Sequence, residues 1–371
     1  VDRLSCERRE KREVTALKEK IAGLIRAQGP ITVAQYMQIA LGDPFHGYYI
    51  SRDPFGRDFV TAPEISQIFG ELIGLFFVQA WEDRGKPERF YFVELGPGRG
   101  TLMADMMRAA AKVRPAFAHA AHIVFVETSP LLRATQGRTL TPYKPQWTLR
   151  LADVPRDAPL YVMANEFFDA LPIRQFVRRE RGWHERMVTV DGDTLRFALT
   201  PETVPVPFLD RHLLARAGLN EVAEINPAAH ATMAEIAARI VSGDGVALAI
   251  DYGHGIPGLG DTFQALKANA FVGVLDEPGE ADLTAHVDFA ALKTAAEDAG
   301  ARVAGPIAQS ALLEALGIGL RVQRLKETAP ERSAEIEAAV ARLTDQNEMG
   351  ALFKALALSR PNTPAPAGFP C

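Results

Sequence analysis

Apolar and polar positions follow two rhythms along this chain. From about Arg8 to Gln28, Val14, Leu17, Ile21, Leu24 and Ile25 recur at helical spacing, and Gly29-Pro30 closes the run. Thr32 reads as the cap of a second short helix through Leu41. Thr61-Ala-Pro-Glu64 opens a helix with Ile65, Ile68, Phe69, Leu72, Ile73, Phe76 and Phe77, apolar on most faces and so expected to lie against a sheet. The second rhythm is short and continuous. Tyr91–Leu95, His122–Val126, Leu160–Ala164 and Gly245–Ile250 are apolar runs ended by glycine or polar residues, and they predict buried strands. Helical patterns at Thr101–Val113 and Ala228–Val241 lie between them. Strands alternating with helices predict an α/β fold whose mostly parallel sheet carries helices on both faces.

The rhythm changes after residue 172. Phe176–Trp183, Met187–Val190 and Leu195–Leu199 alternate and are joined by glycine-containing turns, which predicts a β-rich insertion. Arg174, Arg178, Arg179, Arg181 and Arg186 make it basic, either as a solvated face or as a docking surface for an acidic partner. Ala311–Thr328, Glu331–Asp345 and Glu348–Leu358 read as closing helices, and Pro361–Cys371 as a disordered tail. The expected division is therefore an N-terminal helical region at 1–85 packing on a core of 86–172 and 244–310. The insertion spans 173–243, the C-terminal helices 311–360 and the tail 361–371.

Composition narrows the function classes. At 371 residues, with 47% hydrophobic and 23% charged residues, the chain can build a large globular core. A net charge of −5 argues against wholesale nucleic-acid binding. No apolar run is long enough to insert in a membrane. Residues 1–20 mix Glu with Lys and Arg, a poor fit to a transit or signal peptide. Cys6 and Cys371 offer no disulfide framework, and the histidines show no H-x-H or H-E-x-x-H spacing, so no metal site is expected.

The candidate chemistry sits at the strand ends. Tyr91–Leu95 breaks at Gly96, Gly98 and Gly100, and a helix follows. A dinucleotide fingerprint needs a further glycine that would fall on Thr101 or Met103, and no P-loop lysine is present. The spacing instead suits a cofactor without phosphate, whose amino-acid tail lies on a turn that the backbone can approach closely. Glu94 places an acid beside a bound ammonium or sulfonium, and S-adenosylmethionine carries both cations. Glu127, ending the next strand, is placed to accept from ribose hydroxyls. Asn165, Glu166 and Asp169 follow the Leu160–Ala164 strand, where an acceptor would meet the cofactor. Helix capping is the alternative for Asn165 and Asp169. Glu64 has capping-box spacing from Thr61, and a pocket role is its other reading. Asp251 either orients an acceptor or fixes the loop after it, and His286 reads as helix-entry packing rather than a base.

These segments together resemble the MidA family of class I S-adenosylmethionine-dependent methyltransferases. The resemblance is carried by Phe59-Val-Thr-Ala-Pro-Glu-Ile-Ser-Gln67, Glu94-Leu-Gly-Pro-Gly-Arg-Gly100, Asn165-Glu-Phe-Phe-Asp-Ala-Leu-Pro172, Asp251-Tyr-Gly253 and Asp282-Leu-Thr-Ala-His-Val-Asp-Phe289. Met349-Gly-Ala-Leu-Phe-Lys-Ala-Leu-Ala-Leu358 is similar to that family's closing helix. The resemblance runs from about Ile31 to Leu358 and implies a Rossmann-like class I methyltransferase fold. It further implies S-adenosylmethionine as cofactor at Gly96, Gly98, Gly100 and Glu127, and methylation of arginine on a protein acceptor. In mitochondria it implies a link to assembly of respiratory complex I, so a complex I subunit or related protein is the expected partner. The expected location is the mitochondrial matrix in a eukaryote and the cytoplasm in a bacterium. Glu166 and Asp169, helped by Asn165 and Glu64, are the candidate catalytic residues. Two other readings stay open: a methyltransferase-like assembly factor without turnover, and a nicotinamide-dependent oxidoreductase.

Overall fold

The computed structural model describes residues 3–52, 61–209 and 211–370. Phe59 and Val60, which open the family motif, lie outside the described residues. The chain divides into two compact units. One contains the described residues of 60–168, 230–256 and 287–371, and the other those of 1–59, 169–229 and 257–286.

In the first unit, helix α1 (Ala62–Ile65) and helix α2 (Gln67–Asp83) precede strand β1 (Phe90–Leu95). Helix α3 (Thr101–Val113), strand β2 (Ala121–Val126), helix α4 (Pro130–Thr139), strand β3 (Gln146–Thr148) and strand β4 (Leu160–Asn165) follow. Strands β5 (Gly245–His254), β6 (Val287–Asp288), β7 (Arg302–Ala308) and β8 (Phe353–Ser359) complete the sheet. Its order is β7-β8-β5-β4-β1-β2-β3, with the short β6 also paired to β5. Strands β3, β2, β1, β4 and β5 are mutually parallel, while β8 runs antiparallel to both β5 and β7. Strand order reverses between β1 and β4, and a sheet of this kind binds ligands beyond the carboxyl ends at such a reversal.

Both faces of this sheet are buried, which is why its strands read as continuous apolar runs. Phe90, Phe92, Ile123, Phe125, Tyr161, Met163, Val246, Leu248 and Ile250 pack with α2 and α3. Their neighbours of opposite parity, Val93, Val124, Val162, Ala247 and Ala249, are equally buried. Helices α2 and α3 approach closely at two glycines. A Cβ on Gly70 would lie 2.5 Å from Asp105 Cβ, and one on Gly74 would lie 2.7 Å from the Met106 carbonyl oxygen.

The second unit is antiparallel. Gly182–Asp191 pairs with Ile31–Thr32, Arg174–Arg179 and Thr194–Leu199, and Arg174–Arg179 also pairs with Val222–Ile225. A smaller sheet joins Gln264–Lys267 to Ala270–Val272 and Asp282–Thr284. Leu17, Ile21 and Ile25 of the first helix pack with Tyr36, Met37, Val188, Leu195 and Leu283. Thr32 does cap Val33–Gly42, in a capping box with Gln35. Of the 1–85 region, the helices Arg3–Gln28 and Val33–Gly42 thus group with the insertion's sheet, and α1 and α2 with the parallel sheet. Two of the insertion's arginines are ion-paired inside the unit, Arg174 with Glu185 and Arg186 with Asp261.

Three expectations need correcting. Glu348–Leu358 is not a helix: Met349–Leu352 makes one short turn and Phe353–Ser359 is strand β8. Its Leu and Ala residues favour helix, but pairing with β5 and β7 and burial on both faces override that preference. The tail is not loose, because Phe369 is buried with its ring centroid 6.4 Å from that of Phe76. The helix predicted from Thr61 onward is split at Ser66, whose side chain caps α2.

Candidate functional site

The site lies in the first unit, at the carboxyl ends of β1 and β4. After Leu95 the chain turns through Gly96, Gly98 and Gly100, with φ of 60°, 52° and 81°. Only glycine takes such angles without strain. A Cβ on Gly96 would come 3.1 Å from the Phe167 ring, and one on Gly100 would come 2.8 Å from Leu140 Cδ1. The turn is therefore held close to its neighbours and leaves backbone for a ligand to meet.

Two acids flank it under opposite conditions. Glu94 shares the parity of Phe90 and Phe92, so its carboxyl points into the covered face and is buried. Its Oε2 has no hydrogen-bond partner among the described residues, and burial pushes its pKa well above the usual carboxylate range. Glu127, just past β2, is also buried, but it is bonded. Its Oε1 accepts from the Ser129 backbone N–H at 2.7 Å and its Oε2 from Gln136 Nε2 at 3.1 Å. Burial raises its pKa too, against the lowering effect of the Ser129 and Gln136 hydrogen bonds.

Beyond β4 the chain makes a second left-handed step, this time on a residue with a side chain. Glu166 has φ of 49°. Its Oε1 accepts from the Ala62 backbone N–H at 3.1 Å and from Asn165 Nδ2 at 3.1 Å. Asn165 Oδ1 is buried without a partner among the described residues. Asp251, from β5, accepts from the backbone N–H groups of Phe167 at 3.1 Å, Phe168 at 2.9 Å and Tyr252 at 2.9 Å. These bonds make Asp251 a clamp on the turn after β4, a role that neither reading of it from the sequence contained. Thr61 makes no side-chain cap for α1, so the capping box expected with Glu64 does not form. Glu64 Oε1 instead accepts from the Thr101 hydroxyl at 2.7 Å, beside the glycine turn.

The structure thus brings together Glu94, Gly96, Gly98, Gly100, Glu127, Asn165, Glu166 and Glu64 in one unit. Asp169 belongs to the other. Its carbonyl accepts from the Ala285 N–H at 3.0 Å. Burial, then the nearby Asp282 and Asp169 carboxyls, push the Tyr49 hydroxyl well above its ordinary pKa. The His286 backbone N–H donates to Thr262 Oγ1 at 2.9 Å in that same unit.

Residues 72–307 match the profile of an S-adenosyl-L-methionine-dependent methyltransferase family. The protein arginine methyltransferase NDUFAF7 of mouse mitochondria is 38% identical over 88% of this chain and 80% of its own length. The chain belongs to this methyltransferase family. The human mitochondrial protein of the same name is 36% identical over 93% of this chain and 83% of its own, and the Drosophila melanogaster homologue 37% over 92% and 84%. A protein from Burkholderia thailandensis, solved with S-adenosyl-homocysteine bound, superposes with a TM-score of 0.81 at 28% identity. The match covers 96% of this chain and 94% of that one. The methyltransferase fold and the S-adenosylmethionine cofactor expected from the sequence are both borne out.

The residues of this methyltransferase fit its cofactor. Glycines supply a turn free of Cβ atoms, and a buried acid with an orphaned oxygen lies at its edge. A cation beside Glu94 would favour its ionised form and offset the effect of burial. The sequence reading missed Gln136, which reaches both the turn and Glu127. The signal was there: Ser129-Pro130 starts a helix, and Leu132, Gln136 and Leu140 follow at the spacing of its buried face. A polar residue in that row needs a reason.

Proposed function

We propose that this methyltransferase acts on an arginine side chain of a protein, with a subunit of respiratory complex I or a related protein as acceptor. The proposed location is the mitochondrial matrix in a eukaryote and the cytoplasm in a bacterium. The names of the mouse, human and fly relatives support arginine as acceptor. The observation that carries the reading is Glu166, an acid retained at a left-handed position and pinned by Ala62 and Asn165 next to the cofactor turn. Strained residues of this kind collect at functional sites.

When bound, S-adenosylmethionine supplies a methyl group on a positively charged sulfur. A guanidinium stays cationic at neutral pH, so binding one there needs a carboxylate. Glu166 is proposed to orient it through charge-assisted hydrogen bonds and to stabilise its charge during transfer. Asn165 and Glu64 fix the groups around that carboxylate. Asp169, next along the same segment, is the second proposed acid. Glu166→Gln keeps a carbonyl oxygen for Ala62 and Asn165 and removes the charge alone. With labelled methyl donor and a candidate acceptor, turnover should fall about 10²–10³-fold while affinity for S-adenosyl-homocysteine holds. Unchanged turnover would remove Glu166 from the reaction, and Asp169→Asn tests the second acid in the same assay.

A further inference from the structure

We propose that Gln136 is a positioning residue that aims the Glu127 carboxylate at the ribose hydroxyls. The inference rests on the reading of Glu127 as the ribose acceptor. Gln136 has no exposed surface, and its carboxamide touches three parts of the cofactor region. Nε2 donates to the Gly98 carbonyl at 2.7 Å and to Glu127 Oε2 at 3.1 Å. Oε1 accepts from the Trp147 indole N–H at 2.8 Å, on β3.

The chemistry of these partners fixes the amide. A carbonyl and a carboxylate can only accept, and an indole N–H can only donate. A flipped carboxamide would lose all three bonds, so its orientation follows from its neighbours. Helix α4 then holds Glu127 from two sides. The N–H of its cap residue Ser129 serves one carboxylate oxygen, and Gln136, farther along the helix, serves the other. A carboxylate gripped at both oxygens cannot swing. The same nitrogen ties Gly98 into the arrangement, so turn and acid are held in one register.

A buried glutamine that only satisfies its neighbours would affect every ligand alike. One that aims Glu127 matters only when the ligand carries the hydroxyls. The test is calorimetric titration of the full chain with S-adenosyl-homocysteine and with its 2′,3′-dideoxyribose analogue. Gln136→Met preserves length and removes the hydrogen bonds. It should weaken S-adenosyl-homocysteine about 10- to 100-fold, and the dideoxy analogue less than about threefold. Equal losses for both ligands would overturn the proposal. Glu127→Gln is the control. If the parent protein and Glu127→Gln rank the two ligands alike, Glu127 does not read the ribose and both readings fall. If Glu127→Gln erases the preference and Gln136→Met does not, only the Gln136 role falls. Should Gln136→Met not fold by circular dichroism, Trp147→Phe replaces it. That variant removes one of the three bonds that hold the amide and should give a smaller loss, still selective for the hydroxyl-bearing ligand. A non-selective loss there overturns the proposal as well.

Discussion

Two turns at the ends of neighbouring strands reach a left-handed backbone by opposite means. After β1 the chain uses glycine at Gly96, Gly98 and Gly100 and takes the angles without strain. After β4 it places Glu166 at φ of 49°, a geometry that costs a residue with a Cβ about 1–2 kcal/mol. That cost is met by Asp251, which gathers the Phe167 and Phe168 backbone N–H groups and so holds the bend. The contrast separates two jobs. Where a ligand must approach the backbone, the side chain is dispensed with. Where Glu166 is proposed to act, the side chain stays and a buried clamp holds the bend.

The largest test of this contrast is Asp251→Ala. It leaves buried N–H groups without their acceptor and should lower stability by about 3 kcal/mol or more, read by urea unfolding. A loss near zero would mean the second turn holds itself. Gly100→Ala attacks the other turn. Backbone strain and displacement of Leu140 Cδ1, 2.8 Å from the new methyl, should together cost about 2 kcal/mol. Titration with S-adenosyl-homocysteine should show the change as lost affinity.

Glu94 gives a pH-dependent effect of about 1.4 kcal/mol per pH unit at most. Its folded pKa is raised above the ordinary value, so from that value upward the folded chain holds more protons than the unfolded one. Stability of the cofactor-free protein should therefore fall as pH rises above about 4.5, with Glu127 adding in the same direction. Glu94→Gln should flatten that slope in unfolding measured across pH. The smallest expected change is the stability of Glu166→Gly. Relief of strain is offset by loss of the Ala62 and Asn165 hydrogen bonds and by glycine's flexibility, leaving a net shift within about 1 kcal/mol. Methyl transfer should nevertheless collapse. A large stability loss would make the Glu166 side chain structural instead.

Much of this was legible from residues alone. Strands β1, β4 and β5 read correctly because burial on both faces leaves uninterrupted apolar runs, and β2 because its centre, Ile123–Phe125, is buried. The glycine turn was legible because its spacing excludes phosphate-binding alternatives. Strand β8 was not, since Leu and Ala prefer helix and only its two sheet neighbours decide otherwise. Thr61 and Glu64 had the spacing of a cap, yet Glu64 bonds Thr101, a partner 37 positions away that no local pattern announces. The clamp by Asp251 was invisible for the same reason, its partners Phe167 and Phe168 being 84 and 83 positions distant.

The indole of Trp147 has a consequence of its own. Its N–H ends a chain of hydrogen bonds running through Gln136 to Glu127, while Trp81 belongs to the apolar core and Trp183 to the other unit. Of these fluorophores, Trp147 is the one bonded into the pair proposed to read the ribose, so its emission should change as S-adenosyl-homocysteine is titrated in, with no added dye.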